Sequence, residues 1–113
     1  MKKSDKKIEN ALIKILTTVC EPALDNVPGF VWLTHVVNYA DVPNSLNVIL
    51  VFKTIDDRAQ AEKNQHDLQL IKETKKALSN INITLKNPQK QIKFDTEEAC
   101  DLEHNGNWAL RLS

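Results

Sequence analysis

The sequence predicts a single α+β domain, and three observations predict it. Apolar residues recur at spacings of three and four over the first two dozen positions, the period of an amphipathic helix. Two β-branched and aromatic runs, FVWLTHVVNY (30–39) and LNVILVFKT (46–54), flank a Pro-Asn turn. Helical and alternating stretches then take turns to the end of the chain. The expected order is α-β-β-α(α)-β-β-α-β over residues 1–113, with residues 1–4 a disordered tail. The expected sheet is mixed or mostly antiparallel, of four or five strands, with helices packed on it.

In the first segment Ile8, Leu12, Ile15, Leu16, Val19 and Ala23 form the apolar stripe, while Lys6, Lys7, Lys14 and Glu21 lie off it. A helix over about 5–24 follows, with Ser4 or Asp5 as its cap and Pro22 kinking it or opening a short second helix. Asn26-Val27-Pro28-Gly29 stops it. The two strand-like runs form a β-hairpin around Asp41-Val42-Pro43-Asn44-Ser45 and carry apolar residues on both faces, so they should be central and covered on both sides.

A helical region follows over about 56–79. Thr54, Asp56 and Asp57 stand at its start and Lys75 and Lys76 near its end, as the helix dipole prefers. Unbroken, it would be about 36 Å long, so a bend is expected at Asn64-Gln65-His66-Asp67, with Asp67 as a second cap. Ile81, Ile83 and Leu85 alternate with polar residues as a half-buried strand does. A turn at 87–90 leads to a short extended run over 91–94. Asp95-Thr96-Glu97-Glu98 then starts a helix that Gly106 closes, and Trp108, Leu110 and Leu112 alternate as a last strand. Trp32, Phe52 and Trp108 supply apolar bulk to strands.

Composition narrows the function. The chain has 113 residues, 42% of them apolar, and fifteen Lys plus Arg balance fifteen Asp plus Glu. That excludes a disordered polyelectrolyte and a cationic packaging protein. No apolar run approaches the ~20 residues of a membrane span, and the charged N-terminus does not read as a secretory signal, so a cytoplasmic location is expected. Two cysteines eighty positions apart suit a reducing compartment. With only Gly29 and Gly106 in the chain there is no glycine-rich phosphate loop, so no nucleotide or other cofactor is expected.

Charge is nevertheless unevenly placed. Lys72, Lys75, Lys76, Lys86, Lys90 and Lys93 fall within 72–93 against Glu73 alone, and Asp95, Glu97, Glu98, Asp101 and Glu103 follow with no basic partner. The six lysines are the candidate nucleic-acid contacts, since each neutralised phosphate strengthens binding and its salt dependence. The bland reading is a solvated basic face that the acidic stretch pairs with at close range. No aromatic residue interleaves with these lysines as a stacking platform. Glu97, Cys100 and His104 share one face of the last helix, as half a zinc site would. No CxxC or HExxH supplies the other half, and Cys100 reads more simply as a small buried hydrophobe. Its acidic neighbours raise a thiol's pKa, which argues against a nucleophile. His35, on a strand among apolar residues, reads as a core histidine rather than a base. No metal ligand and no catalytic residue is assigned.

Two resemblances add to this. The amphipathic first helix, PGFVWLTHVV, the Pro-Asn-Ser turn, NVILVF, a broken helix containing LIKETKKAL, INITL and QIKFDTEEA resemble in order ribosome-binding factor A, a KH domain of type II. That resemblance implies a KH-type fold and association with RNA or a ribosomal subunit. KH domains clamp the nucleic-acid backbone with a glycine-bearing loop between two helices, and Asn64-Gln65-His66-Asp67 stands there in this chain. FDTEEACDLEHNGNWALRL and GFVWLTHVVNY are similar to a small uncharacterised gammaproteobacterial family, some of whose members are labelled Fis-type regulators. Regulators of that type read DNA with a basic recognition helix, whereas the last helix here is acidic. The expectation is a non-enzymatic cytoplasmic protein associated with RNA or the ribosome through the six lysines. The alternative is a protein-interaction module or homodimer joined at an edge strand such as the last, with transcriptional regulation behind both.

Overall fold

The computed structural model describes residues 2–113. A three-stranded mixed sheet, order β1-β2-β3, carries helices on both faces. The first helix, α1 (Lys3–Asn26), buries Leu12, Leu16, Val19 and Ala23. It already includes Lys3 and Ser4 of the segment expected as a tail, and Met1 lies outside the described residues. Lys2 precedes it with no side-chain cap, so neither Ser4 nor Asp5 plays that part. Pro22 sits inside the unbroken helix. Its missing N–H leaves the Thr18 carbonyl without its usual intrahelical donor.

Strands β1 (Phe30–Val36) and β2 (Asn47–Phe52) form the expected antiparallel pair, with a register shift between Phe30 and Trp32. One helical turn, α2 (Val42–Ser45), joins them. Two helices follow, α3 (Ile55–Lys63) and α4 (His66–Ser79). Thr54 caps α3, its Oγ1 accepting from the Asp57 N–H at 3.0 Å. The bend falls at Asn64-Gln65, as expected, but it is made by Gln65 in the left-handed region (φ 62°), and Asp67 lies in the first turn of α4 rather than at its cap.

Residues 81–85 do not form the expected strand. They run irregularly over the end of α4, burying Leu85 and part of Ile81 and Ile83 against the main core. Asn82 takes φ 62° there, which an alternating strand cannot accommodate. A turn of helix, α5 (Pro88–Gln91), leads into β3 (Ile92–Thr96), which pairs with β2 in parallel. Gln91 fixes this junction. Its buried amide donates to the Pro43 and Leu46 carbonyls, both at 2.9 Å, and its Oε1 accepts from the Asn87 N–H at 2.6 Å.

Thr96 caps α6 (Glu97–His104) by accepting from the Ala99 N–H at 3.0 Å. The segment expected as a last strand is instead a turn of helix, α7 (Trp108–Arg111), started by Asn107, whose side chain accepts from the Leu110 N–H. Among the described residues the sheet therefore has three strands and not four or five.

The registers assign the faces. Leu33, His35, Val48, Leu50, Phe52, Ile92, Phe94 and Thr96 point toward α1, α3 and α4, where the main core lies. Trp32, Thr34, Val36, Ile49, Val51, Lys93 and Asp95 point to the other face, which α6 and α7 partly cover. β2 is buried on both sides, as expected of a central strand.

Candidate nucleic-acid interface

The parallel pairing of β3 opens a groove of about 490 Å³ between β3 on one side and α3 and α4 on the other. Ala61 and Ile71 form its helical wall, Ile92, Phe94 and Phe52 its sheet wall, and Gln89 one end. Arg58 and Lys93 line it too, both exposed; Lys93, which the register turns to the other face, equally lines the hollow there with Glu103, His104 and Arg111. Glu62 and Asp67 also line it. Asp67 turns Oδ1 inward without a hydrogen-bond partner, the one buried side-chain polar atom so placed among the described residues.

The six lysines are all exposed, but the fold does not gather them. Lys93 borders the groove, and Lys90 follows directly on Gln89 at its end. Lys75 comes one turn after Ile71 on α4 and borders a second hollow, of about 210 Å³, with Leu78, Ile83 and Pro88. Lys76 stands on the other side of α4, beside Thr18 and Pro22 of α1. Lys72 lies on the solvent side of α4, and Lys86 precedes α5 with its N–H bound to the Pro43 carbonyl.

Arg58, a residue outside the basic run of 72–93, joins Lys93 in lining the groove. Its neighbours Asp56 and Asp57 hide it in a charge count; only its place on the same side of α3 as Ala61 and Glu62 marks it. Phe94, half-buried, lies in the groove next to Lys93, an aromatic face that the spacing of the lysines does not announce.

The acidic stretch does not neutralise the lysines. Among the described residues none of the six makes an ion pair within 4 Å. The carboxylates hold the far side of the sheet together instead. Arg111 grips Asp95 with two hydrogen bonds, Nε to Oδ2 at 2.6 Å and Nη2 to Oδ1 at 2.9 Å, and its Nη1 lies 3.5 Å from Glu103. Burial alone would raise the Asp95 carboxyl, but the Arg111 hydrogen bonds and charge and the Thr96 N–H outweigh it and hold it below its ordinary value. Glu97 accepts from Trp32 Nε1 at 3.0 Å, and Trp32 meets Trp108 edge to face at 4.7 Å. Glu98 accepts from the Ile55 N–H at the start of α3.

The remaining candidates are placed as follows. Cys100 is fully buried, and desolvation pushes its thiol up, which leaves it protonated and unreactive at neutral pH. His104 turns Nδ1 toward Arg111 Nη1 at 3.1 Å, not toward Cys100. No group of three or more His, Cys, Asp or Glu is assembled to hold a metal among the described residues. His35 reaches from β1 to α1, its Nε2 3.0 Å from Glu9 Oε1. No described helix is long and apolar enough to cross a membrane.

Comparison with known proteins finds no matching family model, no matching curated protein and no matching solved structure.

Proposed function

We propose that the protein is a non-catalytic, cytoplasmic, RNA-associated protein, and that it holds a single-stranded or looped segment of RNA, such as a ribosomal subunit presents, in the groove between β3 and the α3–α4 pair. The observation that carries this reading is that Arg58 and Lys93, neither of them in an ion pair among the described residues, line a groove with apolar walls, with Lys90 next to Gln89 at its end and Lys75 at a second hollow. Phosphates run along the β3 and α5 rim beneath the cations. Phe94 offers a face against which a base can pack. Glu62 and Asp67 would repel phosphate, so they face the base edges, where a carboxylate accepts from an exocyclic amino group.

The order α-β-β-α-α-β, counting the longer elements up to β3, also suits the KH-type reading. In that reading Gln65, at φ 62°, makes the sharp corner that glycine makes in the KH loop. Of the six lysines first singled out, the reading keeps Lys75, Lys90 and Lys93, adds Arg58, and leaves Lys72, Lys76 and Lys86 as a solvated face.

The test is fluorescence anisotropy with a labelled RNA of about 20 nucleotides across a salt series. Three to four phosphate contacts on a single strand give a log–log salt slope of about −2 to −3, so affinity falls about 20- to 50-fold between 50 and 200 mM salt. R58E/K93E should make the slope shallower by about 1.4 and cost more than about tenfold at low salt. K72E/K76E should change little. Absence of binding at 50 mM salt, or equal losses in the two double variants, would overturn the proposal.

A further inference from the structure

A different face carries an inference independent of RNA. β1 is an edge strand of seven residues, and no described strand pairs with its outer side. Exposed edges are ordinarily guarded by lysine, proline, a bulge or a covering element. Trp32–Val36 contains neither lysine nor proline, and the one register shift lies behind it at Phe30. Beside this edge, between β1 and α1, lies a hollow of about 370 Å³ floored by Leu16, Cys20 and Leu33 and flanked by Ile13, Thr17 and Thr34. Glu9 and Glu21 mark its two ends along α1. Ile13 is 51% exposed and Leu24 49%, both on the same side of α1.

We infer that a second copy of this chain docks here, β1 against β1 and α1 against α1, both antiparallel, to join two sheets into one of six strands. The charge along α1 selects this occupant. Up to Lys14 the segment carries Lys2, Lys3, Lys6, Lys7 and Lys14 against Asp5 and Glu9; beyond it come Glu21 and Asp25 with no basic residue. A parallel neighbour would set like charges together, and an antiparallel one sets each basic end beside an acidic end. Ile13 lies seven residues after Lys6 and eight before Glu21. An antiparallel pair centred on Ile13 therefore packs the two exposed isoleucines together and sets each Lys6 across from Glu21 of the other copy. A two-fold axis normal to the sheet satisfies both pairings at once, since it keeps the two α1 helices on one face. The last strand expected from sequence is instead the helical turn α7 and has no edge to offer.

Sedimentation equilibrium of the full chain from 1 µM to 1 mM tests this, with circular dichroism to verify folding; Lys6 and Glu21 are both exposed, so neither change disturbs the core. The expected result is a dimer of twice 12.9 kDa. K6E and E21K each weaken it about tenfold at 50 mM salt, K6E/E21K restores it, and R58E/K93E leaves it unchanged. A monomer at every concentration would overturn the inference. So would a dimer indifferent to the single reversals, or a double variant as weak as the singles.

Discussion

Replacing Arg111 with Met tests what fastens α6 and α7 to the far side of the sheet. The change keeps much of the side chain's apolar length and removes the guanidinium, stranding Asp95 as a carboxylate in a site where its side chain is 16% exposed and that of Arg111 14%. Breaking a fully buried pair from one side costs about 3–5 kcal/mol and breaking a surface pair about 0–1. This exposure puts the cost at about 2–3 kcal/mol. For a domain of this size that lowers Tm by about 8–12 °C. The readout is thermal unfolding followed by tryptophan fluorescence, because Trp32 and Trp108 meet across the same contact. Since the native Asp95 carboxyl titrates below its ordinary value, the pair's contribution is complete above about pH 4 and is lost as pH falls through the lower native value. The difference between wild type and R111M should therefore be full at pH 7 and shrink toward pH 2. Adding Asp95→Asn to R111M should cost less than the two single changes summed, by about 1–2 kcal/mol. A Tm within 3 °C of wild type at pH 7, or a gap that persists unchanged at pH 2, would refute the reasoning.

Three further outcomes follow from the packing. Leu12→Ala, at a fully buried position of α1, should cost about 2–5 kcal/mol in urea unfolding, and an unchanged midpoint would remove α1 from the core. Gly29→Ala should destabilise by more than about 2 kcal/mol, measured the same way, because Gly29 holds φ 81° and a Cβ there would fall within 2.8 Å of Asp57 Oδ1 and closer still to its Cγ. With a thiol reagent at pH 8 the native protein should titrate one cysteine, the partly exposed Cys20, slowly because burial raises its thiol; Cys100 should react only after denaturation.

The sequence made legible those elements whose period is set by one dominant contact surface. The stripe from Leu12 to Ala23 faces one core, and the runs around Leu33 and Leu50 sit in one antiparallel pair, so their spacing announces them. Ile81, Ile83 and Leu85 alternate as strand residues do, yet their apolar side chains are taken up by the end of α4, and Asn82 breaks the extended path. Trp108 misleads in the same way. Its partner Trp32 is 76 positions away, and Asn107 turns the chain into a helix that meets it. At the candidate interface, Lys90 and Lys93 were legible because they are close together in the sequence. Arg58 was not, because what joins it to them is the parallel return of β3, which no local pattern records.

That parallel return also governs the order in which the chain can assemble. β1 and β2 are joined by 37–46, whereas β2 and β3 are separated by 53–91. Closing the longer loop costs about 1 kcal/mol more in chain entropy before any contact rewards it. Pairing of β1 with β2, backed by α1, therefore precedes docking of β3, and the chain folds more slowly than its helix content alone would suggest. Until β3 arrives, one edge of β2 stays unsatisfied and Ile49 and Val51 stand open to solvent, so the interval before that docking is when this molecule is most open to aggregation.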